Sequence, residues 1–138
     1  MYVLFAMVKV IYTMNKIVIA GSRSFNDYKT LSNVCNVLFK NISEVEIVCG
    51  EAYGADKLGR KYAEEHNLLI KSFPANWDKY GKSAGYIRNK EMAKYCDNAI
   101  IFWDGVSKGS NHMIKLCKEF NKDVLVYNTK TDLLEIIN

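Results

Sequence analysis

Proline is nearly missing from this chain of 138 residues, with Pro74 standing alone. Beside that single proline, 49% apolar and 25% charged residues exclude both a disordered tail and a fibrous repeat. No CxxC pair occurs among Cys35, Cys49, Cys96 and Cys117, and His66 and His112 are the only histidines, so a structural zinc site has no framework and no metal is expected. The cysteines read instead as reduced core thiols, the expectation for a cytoplasmic protein. A long apolar run is lacking too. The opening MYVLFAMVKVIYTM is interrupted by Lys9 and is too short to span a bilayer. Without a basic start or a small-residue cleavage site it also makes a poor signal peptide, and no membrane association is expected.

Arginine is scarce: Arg23, Arg60 and Arg88 are the only arginines among 19 basic residues. Where lysine is the default, an arginine answers a need for its planar, bidentate fork. The net charge of +4 is dispersed along the chain. A dedicated nucleic-acid binder concentrates its basic residues on one face or helix, so nucleic acid is not expected as a partner.

What is present has the size of one compact domain. MNKIVIAGSR from Met14 is a natural domain start, so residues 14–138 are expected to form the domain and residues 1–13 an upstream translation start, an extra strand or a helix. KIVIA from Lys16 is a β-branched apolar run suited to a strand buried on both faces. DYKTLSNVCNVLFKNI then sets Leu31, Val34, Cys35, Leu38, Phe39 and Ile42 at helical spacing. The cycle repeats: a strand at Val45–Cys49, a helix from Ala55 to His66, and a strand LLIKSF over Leu68–Phe73 that Pro74 closes. ANWDKYGKSAG, from Ala75 to Gly85, is the longest irregular stretch and reads as a functional loop. A helix over Ala84–Tyr95, the strand Asn98–Trp103, a helix over Ser110–Phe120 and the strand Asp123–Tyr127 follow. Thr131 is expected to cap a short last helix through Ile137. Strands alternating with helices specify a three-layer α/β sandwich on a mostly parallel five-stranded sheet, here expected in the order 3-2-1-4-5. Right-handed crossovers bring the turns after strands one, two and four to one edge, where ligands of such sheets bind.

Those turns carry the candidate chemistry. In GSRSF, Gly21 permits a tight strand exit while Ser22 and Arg23 offer a hydroxyl and a fork of donors to an anion; a surface turn with a salt-bridged arginine is the plain alternative. In GEAYGAD, Gly50 and Gly54 allow backbone approach, and the helix opening at Ala55 directs free amides outward. Glu51 would serve a sugar hydroxyl or a water. Asp56 either complements its helix start and pairs with Arg60 at i,i+4, or contacts ligand. In WDGVSKGSNHM, Ser107 and Ser110 supply hydroxyls, Lys108 a point charge and Gly109 a relaxed backbone at a helix start. Neither GxGxxG nor GxxxxGK[ST] occurs, so no dinucleotide fingerprint or Walker loop is present.

Taken together, GSRSF, GEAYGAD, AGYIRN and FWDGVSKGSNHMI resemble the SLOG superfamily, in its YspA-like, YpsA-related branch, over about Asn15 to Tyr127. The resemblance implies a Rossmann-like domain binding a nucleotide or nucleotide-derived ligand at the C-terminal strand edge, with sensors of nucleotide signals among related branches and a phage or mobile-element setting. By position it implies ligand-turn roles for Gly21, Ser22, Arg23, Gly50, Gly54, Ala55 and Asp56. It adds Gly85, Arg88 and Asn89 at the AGxxRN helix start, and Asp104, Ser107, Lys108 and Gly109 in the last loop. Two positions depart from the pattern. Tyr53 stands where the family carries an arginine, losing a cation and making room for stacking on a base, and Ser110 keeps a hydroxyl where threonine is usual. The partner of Arg88 is either the ligand or one of Asp78, Asp97 and Asp104. Trp77, Tyr80 and Trp103 are candidates for stacking on a base or for core and dimer contacts.

The leading expectation is a nucleotide-binding module, with no cofactor required. The alternative is a hydrolase of N-glycosidic or phosphate bonds, with Glu51 or Asp104 acting on water and Arg23 and Lys108 stabilising charge. A third class, single-stranded DNA binding as in the distant DNA-processing relatives, lacks the basic, aromatic-interleaved stripe it would need. The Tyr, Trp and Met content permits a homo-oligomer.

Overall fold

The computed structural model describes residues 16–137, so the expectations for residues 1–13 lie outside the described residues. Six strands form one sheet: β1 (Lys16–Gly21), β2 (Glu46–Cys49), β3 (Leu69–Ser72), β4 (Asn98–Trp103), β5 (Asp123–Asn128) and β6 (Leu133–Ile137), in the order β3-β2-β1-β4-β5-β6. The first five run parallel, with Val18 opposite both Val48 and Ala99, and β6 runs antiparallel to β5. The helices are α1 (Tyr28–Leu38), α2 (Ala55–Glu65), α3 (Trp77–Tyr80), α4 (Ala84–Tyr95) and α5 (Lys108–Glu119).

Alternation along each strand splits the core in two, because successive side chains point to opposite faces. Ile17, Ile19, Ile47, Ile100 and Phe102 pack with Leu31, Leu38 and Tyr62 of α1 and α2. On the other face Val18, Val48, Ala99 and Ile101 pack with Met92 of α4 and with Met113 and Cys117 of α5. Burying a side chain such as Ile19 or Phe102 completely contributes about 1.5–3 kcal/mol, and both are fully buried. This two-sided burial is why the strands read as continuous apolar runs. All four cysteines are free and buried, and no helix among the described residues is long and apolar enough to cross a membrane.

The end of the chain departs from expectation. Thr131 caps nothing, and Leu133–Ile137 is a strand, not a helix. Asn128 folds the chain back by accepting from the amides of Lys130 (2.9 Å) and Thr131 (3.1 Å), and Asp132 takes a left-handed φ of 58° while accepting from Tyr127 Oη at 2.6 Å. LLEII then satisfies the open backbone groups of β5, which outweighs any local helical preference. The stretch expected to be irregular holds α3, capped by Asn76 accepting from the Lys79 amide at 3.1 Å, and a 3-10 turn over Gly81–Ser83. Helix α5 begins two residues earlier than expected, at Lys108.

Candidate functional site

The turns after β1, β2 and β4 meet at the C-terminal edge of the parallel strands, and Ser22 joins them. Its amide donates to the Phe102 carbonyl at 2.9 Å, and its carbonyl accepts from Ala55 at 3.3 Å. Its hydroxyl accepts from the Asp104 amide at 3.1 Å and lies 3.2 Å from the Ser107 hydroxyl. Close approach requires two of the glycines. A Cβ on Gly21 would lie 2.1 Å from the Phe102 carbonyl oxygen, and one on Gly54, whose φ is 78°, would lie 2.3 Å from that of Ser22. Gly54 and Ala55 thus bring α2 against β1, and neither lines the cleft above them.

That cleft holds about 520 Å³. Gly21, Ser22, Arg23, Asp56, Gly85, Arg88, Asn89, Ser107, Lys108, Gly109 and Ser110 all line it. Gly50 does not; it borders a second cavity of about 240 Å³ that shares Arg23, Ala52, Trp77 and Arg88 with the first. Three polar or aromatic lining residues escaped the sequence reading: Ser24, Lys82 and Tyr86. For Lys82 and Tyr86 the signal was present, since NWDKYGKSAGY interleaves bases and rings.

One wall is the start of α5. The Ser107 hydroxyl does not cap the helix, because it donates to Asp104 at 2.7 Å. The amides of Lys108, Gly109 and Ser110 lie in the first turn, where no intrahelical carbonyl reaches them. Ser110 is only 6% exposed, and its Oγ has no hydrogen-bond partner among the described residues. A buried hydroxyl left unpaired costs about 1–3 kcal/mol. Placed beside unpaired amides, Lys108 and Arg23, it is a vacant donor in a positive setting. Farther along, the His112 Nδ1 is likewise buried and unpartnered, its ring stands edge-on to Tyr86 at 4.6 Å, and burial lowers its pKa.

The floor holds two buried charged side chains, Asp56 of α2 and Arg88 of α4. Arg88, 8% exposed, donates through Nη1 to the Gly50 carbonyl and through Nε to Asn89 Oδ1 at 2.9 Å. The nearby charge of Asp56 opposes the effect of burial, which lowers the pKa of Arg88. Its anionic neighbour is therefore Asp56, and not Asp78, Asp97 or Asp104. Among the described residues, Asp56 is the only carboxylate lining the cleft; burial pushes it up to about 6 against the pull of Arg88 and the Ala52 and Gly21 amides. Nor does it pair with Arg60, which reaches Glu51 at 2.5 Å and Glu64 at 3.8 Å.

Glu51 and Asp104 lie outside the 520 Å³ lining. Glu51 sits at a left-handed φ of 62° and accepts from Cys49 Sγ (3.1 Å), Ser72 Oγ (2.8 Å) and Arg60. Burial works to raise its pKa, but the Cys49 and Ser72 bonds and the Arg60 charge bring it below the usual carboxylate range. Asp104 accepts from the amides of Val106 (2.9 Å) and Ser107 (2.7 Å). Slight burial is overcome by the Ser107 and Val106 bonds, and its pKa falls to about 2. Both carboxylates shape turns. Of the ring candidates, Trp77 lines the cleft, Tyr80 is exposed on α3, and Trp103 is committed through Nε1 to the Ser107 carbonyl at 3.0 Å. Among the described residues no group of three or more His, Cys, Asp or Glu side chains is placed to hold a metal ion.

The sheet order, with a cleft at the C-terminal edge, defines a Rossmann-like domain. Within that class, residues 15–80 match the YAcAr model, that of the YspA, cpYpsA-related SLOG family. Gene 61 protein of Mycobacterium phage D29 is 28% identical over 124 residues, covering 85% of this chain and 99% of that one. Among solved structures, DNA processing protein A (DprA) from Streptococcus pneumoniae shares the fold at a TM-score of 0.65 and 18% identity, over 84% of this chain. The chain spans about half, 51%, of that structure.

The last likeness corrects the expectation that nucleic acid is no partner. A DNA-processing protein is built on this fold, so neither the fold nor dispersed charge is ground for setting nucleic acid aside. The physical reason is local: a net charge of +4 describes the whole chain, whereas a ligand at the cleft meets Arg23, Lys82 and Lys108 together.

Proposed function

We propose that this protein binds a nucleotide or nucleotide-derived ligand in the cleft at the sheet edge and holds it chemically intact. The observation that carries the reading is the unpartnered Ser110 hydroxyl, buried at the amide end of α5 within the cleft. A phosphate oxygen there would satisfy that hydroxyl and the first-turn amides, with Lys108 and Arg23 supplying charge. Trp77 and Tyr86, each 52% exposed on the cleft wall, offer faces on which a base stacks. The volume, about 520 Å³, falls within the roughly 300–1,000 Å³ of small-molecule sites. The match of residues 15–80 to the SLOG family model and the Rossmann-like fold support nucleotide-related binding in general. A reading in which Glu51 or Asp104 activates water draws little support from the geometry, since both are engaged, Asp104 lines neither cavity and Glu51 borders only the smaller one.

The test is calorimetric titration with the four ribonucleoside monophosphates and with inorganic phosphate, on the wild type and on Lys108→Ala/Ser110→Ala. At least one monophosphate should bind more tightly than phosphate alone and lose about tenfold or more in the double variant, which removes two donors to one anion. Equal affinity in wild type and variant would place the ligand elsewhere, and no binding across the panel would defeat the reading.

A further inference from the structure

The cleft is larger in chemistry than one nucleotide. The described residues expose eight large apolar side chains, and four of them are aromatic rings: Tyr53 (72%), Trp77 (52%), Tyr80 (40%) and Tyr86 (52%). All four belong to the turn after β2 or to the α3–α4 segment at the mouth of the site. Trp77 and Tyr86 line the main cavity, Tyr53 and Trp77 line the second one, and Tyr80 ends α3 beyond both. The two cavities share Arg23 and Arg88, so they are neighbouring compartments along one edge.

Cations run beside the rings. Arg23, Lys57, Lys79, Lys82 and Lys108 are exposed, and the ion pairs found involve Arg60 with Glu51 and Glu64, not these five. Lys57 lies over the Tyr53 ring at 5.1 Å and Lys79 over Tyr80 at 5.1 Å. Of the nearby acids, Glu51 is engaged by Arg60, Asp104 by its own loop, and Asp56 is buried near Arg88, which leaves Asp78 on α3. Rings and unpaired cations alternating past the limits of one pocket form the surface on which successive bases stack while the backbone phosphates are tracked by charge.

We infer that the nucleotide seated in the main cavity is part of a single strand of nucleic acid, whose adjoining nucleotides extend over the second cavity and the Tyr53 and Tyr80 rings. A free mononucleotide carries one base and one phosphate group, and it leaves two rings, a cavity and two lysines without a role. The inference rests on the proposed nucleotide site, and adds to it the length and class of the ligand.

The experiment is fluorescence anisotropy with labelled oligothymidylate and oligouridylate of about ten nucleotides, within the usual reach of such surfaces. The same strands in duplex form and the free monophosphates as competitors complete the comparison, on wild type and on Tyr53→Ala/Tyr80→Ala. A strand should bind at least about tenfold more tightly than its monophosphate and the duplex, since each added stacked base is worth about that factor. Affinity should fall with salt at a log–log slope of about −2, as expected for roughly three phosphates on a single strand. The double variant should lose about tenfold for strands and stay within about twofold for monophosphates. Monophosphate binding with no gain for the strand, equal binding of duplex, or a double variant that binds strands like wild type would each overturn this inference and leave the nucleotide site standing. Failure of strands and monophosphates alike would overturn the nucleotide site itself.

Discussion

Ser22 and Ser110 are both buried serines at strand-to-helix turns on the same sheet edge, 2% and 6% exposed, and they have opposite fates. The hydroxyl of Ser22 binds the Asp104 amide and the Ser107 hydroxyl. That of Ser110 binds nothing. The first region is finished by the protein itself; the second is left open. Residue type and burial therefore do not separate a satisfied polar group from an unsatisfied one. What separates them is whether the surrounding donors and acceptors close on one another.

The sharpest way to break the finished region is Gly54→Val. A side chain there meets the Ser22 and Arg23 carbonyls at 2.3 and 2.5 Å on a backbone of φ 78°, and the loss should exceed about 3 kcal/mol. Thermal unfolding should show little or no native protein, and a melting temperature near that of wild type would show that the turns are not locked.

Next in size is a pH effect from the floor between the two serines. The Asp56 carboxyl is raised from 3.8 to about 6. The folded protein therefore holds that proton more tightly than the unfolded chain does. Its contribution to stability is greatest below pH 4 and is lost as pH rises to about 6, by about 2–3 kcal/mol. Urea unfolding at pH 4 and pH 7 should show this loss in wild type and not in Asp56→Asn. Parallel pH dependence in the two proteins would mean that Asp56 ionises as an ordinary carboxylate.

The two serines then give the direct contrast. Ser22→Ala should cost about 1–2 kcal/mol, because it leaves the partly buried Asp104 amide without its acceptor. Ser110→Ala should be neutral or stabilise by up to about 1 kcal/mol, since it removes an unsatisfied polar group. Chemical denaturation of both variants would decide the matter. A destabilised Ser110→Ala would mean that the hydroxyl is already satisfied.

The sequence revealed the parallel strands, their order and the meeting of three turns, because buried strands are written as runs such as KIVIA and turns as glycines. It named twelve residues that line the cleft, Trp77 among them. It did not reveal which side chains were already engaged. Arg88 finds its partners in Gly50 and Asp56, more than thirty positions away, and Glu51 is held by Arg60 and Ser72, nine and 21 positions on. Such pairings depend on how α2, α4 and β3 pack, and no local pattern encodes them. The last strand was missed for a related reason: LLEII is short enough to be helix or strand until the open edge of β5 decides.

The bonds from Ser22 to Asp104 and Ser107 span 82 and 85 positions of chain. Loop closure over such separations is slow, and contacts of this kind form only after the intervening strands have paired. During synthesis, which releases roughly 5–20 residues per second, the first turn is therefore complete in sequence well before its partners leave the ribosome. A nascent chain can carry GSRSF and GEAYGAD for seconds before β4 and α5 exist to close against them, and the cleft is among the last features the molecule acquires.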